Sequence, residues 1–196
     1  MWEECPQDGP RTGPLLAGPR AFAALVKTCP MNPISLVFIL HAHQPVGNFD
    51  HIIEQSYRQS YLPFLDCLER HPAISLNLHF SGSLLEWIEK RHPEYLTRIR
   101  KLREAGRLEI LGGGFYEPIL AAIPEADRQA QIVRLHDYVR KVFGEAPNGL
   151  WLAERVWEPA PPESLAKANV KYTLVDDTHF LSAGIEPEAM YGYYST

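Results

Sequence analysis

Glu154 lies in the stretch WLAERVWEP, directly after a short apolar run and between Trp151 and Trp157. A carboxylate in such surroundings suits attack on a sugar, and cleavage of a glycosidic bond ordinarily uses a second carboxyl group as proton donor. We find no second acid in a matching position. The competing interpretation of Glu154 is a surface salt bridge with Arg155 or a nearby lysine, which contributes little to stability. Strict strand alternation places Trp151 and Glu154 on opposite faces, so both reach one ligand only if the backbone departs from extension near Ala153.

Two further segments carry polar groups that suit ligand binding. In HAHQPVGNFD, His41 and His43 are two residues apart, so their side chains point the same way in an extended chain. Three interpretations remain open for them: hydrogen bonds to neighbouring loops, recognition of sugar hydroxyls, or ligation of a metal. In GGGFYEPIL, glycines allow close backbone approach, and aromatic rings beside Glu117 suit a sugar. A plain turn is the alternative there.

Short apolar strands alternate with helices from Ile34 onward, a pattern typical of a parallel sheet covered by helices. Strands are predicted at residues 34–40, 74–80, 108–111, 150–153 and 172–175. Helices are predicted at residues 84–91, 94–105, 124–143 and 165–169, with another split around Pro63. A capping box of Ser83 and Glu86 is expected to open the first of these. In the second strand, Asn77 and His79 alternate with apolar residues and favour a barrel with a polar interior.

The expected fold class is α/β, an incomplete barrel. A closed (β/α) barrel takes about 250 residues, more than this chain contains. We therefore expect residues 33–196 to be the N-terminal part of a larger catalytic domain. The active site of such folds lies beyond the carboxyl ends of the strands. Predicted strand ends carry His41, His43, Glu117, Glu154, Asp176 and Asp177. For the adjacent aspartates, turn or cap chemistry is at least as good an explanation as catalysis.

Composition excludes several classes of function. The 196 residues are 45% hydrophobic and carry a formal net charge of -5, which is typical of one globular core and argues against nucleic-acid binding. No apolar run is long enough to span a bilayer. Three cysteines without a CxxC pair indicate neither a zinc site nor a disulfide framework, so a cytoplasmic location is expected. The Pro- and Gly-rich residues 1–32 are expected to be a disordered leader, with an unusual targeting peptide as the alternative.

Taken together, these motifs resemble family 57 of the glycoside hydrolases, in particular its 4-α-glucanotransferase and α-amylase members. HAHQPVGNFD is similar to the first family motif, LGGGFYEPILAAIP to the second and WLAERVWEP to the third. SGSLLEWIEK and YTLVDDTHFLSAG resemble the segments between and after them. The likeness runs from about Ile34 to the C-terminus, and several motifs in the right order make it specific.

The resemblance implies a (β/α)7 barrel and a retaining mechanism on α-1,4-glucans such as maltooligosaccharides, without metal or organic cofactor. It assigns the nucleophile to Glu154. It places four side chains around the sugar next to the scissile bond: His41, His43, Glu117 and Trp151. The acid/base of the family is an aspartate in a fourth motif, expected beyond Thr196. The resemblance leaves hydrolysis and transfer equally open.

Two alternatives stay open beside this interpretation. A metal-dependent hydrolase of the amidohydrolase kind would use His41 and His43 as its first ligands and bind zinc. A chain that binds glucan without turning it over would be retained by amylose and release no sugar.

Overall fold

Short parallel strands alternate with helices along the chain, as the computed structural model shows for residues 36–158, 161–190 and 194. The strands within these residues are β1 (Ile39–Ala42), β2 (Leu76–Phe80), β3 (Leu108–Leu111), β4 (Gly149–Leu150) and β5 (Tyr172–Thr173). β1, β2 and β3 pair in that order in one parallel sheet, and β4 pairs with β5. A parallel bridge between Gly112 and Leu150 joins β3 to β4. The strand order therefore follows the order in the chain.

Helices connect the strands in each unit. The α-helices are α1 (Asp50–Ser56), α2 (Leu62–Arg70), α3 (Gly82–Arg91), α4 (Pro93–Glu104), α5 (Glu125–Phe143), α6 (Pro161–Lys167) and α7 (Asp177–Ser182). Shorter turns are the 3₁₀ segments Leu120–Ala122, Ala153–Arg155 and Pro187–Ala189. Gly144 ends α5 at φ 95°, a left-handed conformation that favours glycine. The helix around Pro63 continues through a π-helical turn at Tyr57–Tyr61, so the predicted break is a local change of helical pitch.

The core is built by the face of β2 that the alternation predicts. Leu76, Leu78 and Phe80 are buried together with apolar residues of α2 to α5. A second, smaller cluster lies under the β4 and β5 units and includes Leu150 and Leu152. Asn77 and His79 point to the other side of β2, where polar residues gather. The strands thus separate an apolar layer beneath the helices from a polar layer that carries the candidate site.

Several local predictions are wrong in detail. β2 begins at Leu76, β4 and β5 are two-residue strands, and the helix predicted at residues 165–169 covers Pro161–Lys167. β1 begins at Ile39, later than expected, because its pairing with β2 starts where Ile39 lies opposite Asn77. The N-cap of α3 is Ser81, without a side-chain cap, and Ser83 instead donates a hydrogen bond of 2.9 Å to the backbone oxygen of Gln44. Ser83 therefore ties α3 to the loop after β1 and does not form the predicted capping box.

The described fold belongs to one compact unit that runs from Val37 to Thr196. The leader predicted at residues 1–32 lies outside the described residues. Of the helices in the described part of the chain, none combines the length and the apolar character that crossing a membrane requires.

Candidate active site

Two imidazoles and one carboxylate meet at the carboxyl-terminal ends of β1 and β3. Nε2 of His41 lies 2.9 Å from Oε1 of Glu117, and Nδ1 of His43 lies 2.6 Å from Oε2 of the same side chain. The two histidines therefore point the same way, as their spacing predicts, and Glu117 contacts both. The Glu117 side chain is only 11% exposed, and its backbone is left-handed with φ 56°. Non-glycine residues in that conformation are strained and cluster at functional sites.

β2 adds a third imidazole to this group. Nδ1 of His79 lies 2.8 Å from Nδ1 of His41, a hydrogen-bonding distance. His79 is fully buried. Burial pushes the pKa of His79 well below its ordinary range, and the neighbouring His41 and His43 act in the same direction. His79 is therefore neutral at physiological pH. We call His41, His43, His79 and Glu117 the imidazole–carboxylate cluster.

A glycine after β3 makes room for the imidazole–carboxylate cluster. A methyl group on Gly113 would lie 2.6 Å from Nε2 of His79 and 3.3 Å from the backbone oxygen of Trp151. Gly113 thus allows close packing around His79. The ring of Trp151 stacks on that of His41, with centroids 4.6 Å apart and planes 8° apart. Trp151 is partly exposed, so the stacked pair presents an aromatic edge to the site.

Glu154 lies in the loop after β4, on the 3₁₀ turn Ala153–Arg155, at φ 53° and ψ 10°. The backbone therefore leaves regular extension near Ala153, which is the departure that a shared ligand of Trp151 and Glu154 requires. The Glu154 side chain is exposed. Among the described residues it has no hydrogen-bond or ion-pair partner, so the salt bridge with Arg155 does not form here.

Arg155 pairs with a carboxylate that follows β5. Its Nε lies 2.6 Å from Oδ1 of Asp176, and φ of Arg155 is 51°. Asp176 occupies the N-cap position of α7 without a side-chain capping bond, so its carboxylate is free to bind Arg155. The pair connects the turn that carries Glu154 to the end of the neighbouring strand. Trp157, which flanks Glu154 in the sequence, packs against the smaller core cluster instead.

The predicted residues thus divide into two groups. The structure brings His41, His43, Glu117 and Trp151 together, whereas no hydrogen bond or ion pair links Glu154 to them within the described residues. His79 is the functional candidate that sequence reasoning left out of the site. Its position on the polar face of β2 was the available signal, because that face points toward the same space as the ends of β1 and β3.

The cluster also offers the ligand types that a transition metal uses. His41, His79 and Glu117 each present one donor atom within 4.8 Å of the others. The Nδ1 atoms of the two histidines are 2.8 Å apart. Two imidazole ligands of one tetrahedral zinc ion are separated by about 3.3 Å, given Zn–N bonds of about 2.0–2.1 Å. The shorter distance observed here is that of two imidazole rings joined by a hydrogen bond.

Comparison with known proteins assigns the family. Residues 37–196 match the family described as Glycosyl hydrolase family 57. The chain belongs to glycosyl hydrolase family 57. It is 49% identical over 155 residues to Alpha-amylase 1 of Dictyoglomus thermophilum, a match that covers 79% of this chain and 23% of that protein. The chain spans about a quarter of the length of such relatives.

Two solved structures have a similar fold. The 4-alpha-glucanotransferase of Thermococcus litoralis is 51% identical, with a TM-score of 0.75 over 79% of this chain and 24% of that one. The alpha-amylase AmyC of Thermotoga maritima is 21% identical, with a TM-score of 0.61 over 74% of this chain and 40% of that one. The second likeness concerns the fold alone. The predicted α/β fold with a parallel sheet is confirmed.

Proposed function

We propose that this family 57 chain carries the nucleophile and part of the sugar-binding site of a retaining enzyme that acts on α-1,4-glucans. The activity is that of a 4-α-glucanotransferase or an α-amylase, the names of the similar proteins. The observation that carries the proposal is the imidazole–carboxylate cluster with its stacked Trp151, built from strand ends beside the loop of Glu154.

The proposed reaction begins with attack of the Glu154 carboxylate on the anomeric carbon. The bond from that carbon to the leaving oxygen breaks, the leaving oxygen takes a proton from an acid/base expected beyond Thr196, and a glycosyl-enzyme ester remains. Water or the hydroxyl of another glucan then attacks the same carbon, gives its proton to the acid/base, and breaks the ester bond to release the Glu154 carboxylate. Exposure of Glu154 and its lack of a partner among the described residues keep the carboxylate available as a nucleophile.

The cluster residues suit sugar binding in this scheme. His41, His43 and Glu117 supply donors and acceptors for hydroxyls, and their mutual contacts fix where those atoms lie before a ligand arrives. The partly exposed ring of Trp151 suits stacking on the apolar face of a glucose unit. Each oxygen of Glu117 lies within 2.9 Å of an imidazole nitrogen, which suits Glu117 for positioning and leaves the nucleophilic role to Glu154.

A polar contact between distant strands supports the (β/α)7 barrel within this proposal. Nδ2 of Asn77 on β2 lies 2.9 Å from Oε2 of Glu109 on β3 and 3.0 Å from the hydroxyl of Tyr172 on β5. Strands β2 and β5 are three positions apart, which is about 14 Å in a flat sheet. A tyrosine reaches across only if the sheet curls, as the strands of a barrel do.

Trapping the glycosyl-enzyme tests the nucleophile directly. A 5-fluoro-α-maltosyl fluoride loses fluoride when the nucleophile attacks, and its second fluorine slows release of the sugar. We expect mass spectrometry of proteolysed enzyme, prepared from the natural protein that carries this sequence, to find the added sugar on the peptide containing Glu154. A label on Glu117 or Glu158, or turnover by Glu154→Ala equal to that of the wild type, would refute the assignment.

The same preparation separates the alternatives. A metal-dependent hydrolase predicts bound zinc and loss of activity with a chelator, restored by zinc. A protein that only binds glucan predicts retention on amylose with neither sugar release nor a trapped ester. The proposed enzyme instead binds amylose, forms the ester and keeps its activity in chelator.

A further inference from the structure

We propose that His79 is a positioning residue of this site: its buried ring donates Nδ1–H to Nδ1 of His41 and so fixes the His41 tautomer that directs Nε2–H at Glu117. The assignment of the tautomers of His79 and His41 does not depend on the function of the protein. The expected effect of His79 on glucan binding rests on the proposed function above.

The number of protons in the cluster leads to this assignment. The two Nδ1 atoms are 2.8 Å apart, so one of them carries the hydrogen and the other accepts it. An ionised carboxylate only accepts hydrogen bonds. Nε2 of His41 lies 2.9 Å from Oε1 of Glu117. Two lone pairs would repel each other at that distance, so we place the hydrogen of His41 on Nε2. A neutral imidazole has one N–H, so Nδ1 of His41 is the acceptor and His79 is the donor.

The far side of the His79 ring agrees with this arrangement. Nε2 of His79 is buried without a hydrogen-bond partner in the described structure and faces Gly113. With His79 as the Nδ1 donor, this nitrogen is a bare lone pair. The reverse arrangement would bury an unpaired N–H and would make His41 a cation. Orphaned buried N–H groups are rarer in proteins than undersatisfied acceptors, so the first arrangement is favoured.

The consequence for the site is a preset orientation. His41 is held on three sides: by His79 at Nδ1, by Glu117 at Nε2 and by the stacked ring of Trp151. Without His79, the ring is free to flip or to change tautomer, and Glu117 then loses a donor. Ligand binding would have to restore that order, which lowers affinity. His79 is itself buried and touches no ligand, so its effect passes through His41.

The first test reads the tautomers and needs no substrate. Long-range ¹H–¹⁵N spectra of the ¹⁵N-labelled chain distinguish protonated from bare ring nitrogens. We expect Nε2–H with a bare Nδ1 for His41, and Nδ1–H with a bare Nε2 for His79. A bare Nδ1 with Nε2–H on His79 would overturn the proposal, whatever the protein does with glucans.

The second test uses substitutions at His79. In His79→Asn the amide nitrogen lies near the position of Nδ1 and retains a donor, whereas His79→Leu removes it. We expect maltoheptaose affinity, measured by calorimetry, to fall about tenfold in His79→Leu, as loss of one hydrogen bond predicts. Affinity in His79→Asn should stay within about threefold of the wild type. His41 should show mixed tautomers in the leucine variant alone.

His136 supplies the matched control. It is also buried, on α5, and its Nε2 also lacks a partner among the described residues, but it faces Gly112 outside the cluster. His136→Leu should destabilise the protein without changing the His41 tautomer or the affinity.

Equal losses of affinity in His79→Asn and His79→Leu would overturn the positioning role. If His79→Leu does not fold, the asparagine variant and the wild-type spectra still decide. If no variant or wild type binds glucan while the tautomers are as expected, the proposed function fails and the positioning of His41 stands.

Discussion

Glu117 and Glu154 share a backbone conformation and differ in almost everything else. Both follow a strand end and both are left-handed, at φ 56° and φ 53°. Glu117 is largely buried and contacts two imidazoles, whereas Glu154 is exposed and has no partner among the described residues. The left-handed backbone therefore orients a carboxylate in each case, and the neighbouring side chains determine whether that carboxylate is free to react. An engaged carboxylate positions other groups, and an unengaged one is available to react.

Substituting each carboxylate by its amide gives the largest expected contrast. Loss of a nucleophile costs roughly 10⁴-fold or more in kcat, so Glu154→Gln should have almost no turnover in the natural protein that carries this sequence. Maltoheptaose affinity should be nearly unchanged, since the exposed Glu154 supports no other residue. Steady-state kinetics and calorimetry measure the two quantities.

Glu117→Gln is the matched control for that experiment. The amide supplies an N–H where the cluster requires an acceptor, so His41 or His43 loses its partner. We expect weaker ligand binding, a lower midpoint of urea unfolding and residual turnover. If the two variants lose turnover equally and neither loses affinity, the division of roles between the two carboxylates is wrong.

Gly113→Ala tests how closely the cluster is packed. The added methyl group would lie 2.6 Å from Nε2 of His79, so the ring or the backbone must shift. Overpacking of this kind costs about 1–3 kcal/mol, measurable as the free energy of unfolding in urea. Gly106→Ala is the control: its methyl group meets nothing within 4 Å, but φ is +70°. Strain from that left-handed conformation costs about 1 kcal/mol. A Gly113→Ala variant as stable as the wild type would show that the cluster is loosely packed.

Much of this arrangement was predictable from the sequence. The alternation in β2 gives the correct buried face, and β3 lies at the predicted residues 108–111. The spacing of His41 and His43 places both on one side, as found. These features follow from local periodicity, which can be read directly from the sequence. Ser83 shows the limit of such prediction, because its hydrogen-bond partner, the backbone of Gln44, is 39 residues away.

The site was less predictable than the fold. The contact between His79 and His41 depends on strand register, since His41 lies opposite His79 across β1 and β2. No sequence pattern fixes that pairing. Likewise, Trp157 belongs to a core cluster although it is close to Glu154 in sequence. Proximity along a loop says little about direction when the backbone turns left-handed at Glu154.

Asp176→Asn tests whether the ion pair with Arg155 holds the turn that carries Glu154. The Asp176 carboxylate binds Arg155, the residue after Glu154, so it is expected to steady the turn that aims Glu154. Both side chains are around 40% exposed, and exposed pairs contribute little to stability. We therefore expect an unchanged unfolding midpoint and about a tenfold lower kcat, since misplacing a reactive group is costly. Asp177→Asn, one residue later, is the control. Unchanged kinetics in Asp176→Asn would mean that the turn holds without the pair.

Acid stability gives the smallest effect and probes the cluster alone. Burial lowers the pKa of His79 in the fold, so the unfolded chain binds a proton there more readily, beginning at its ordinary pKa of about 6.5. The stabilisation from a neutral His79 is complete above that value and is lost as the pH falls below it, at up to about 1.4 kcal/mol per pH unit. His79→Asn removes this titration. Burial also lowers the pKa of His136, but that residue is present in both proteins and cancels. Between pH 7.5 and 5.5 the wild type should therefore lose about 1 kcal/mol more unfolding free energy than the variant. Parallel losses would mean that His79 takes up a proton in the fold, and the cluster would then be held by charge and not by a neutral hydrogen-bonded pair.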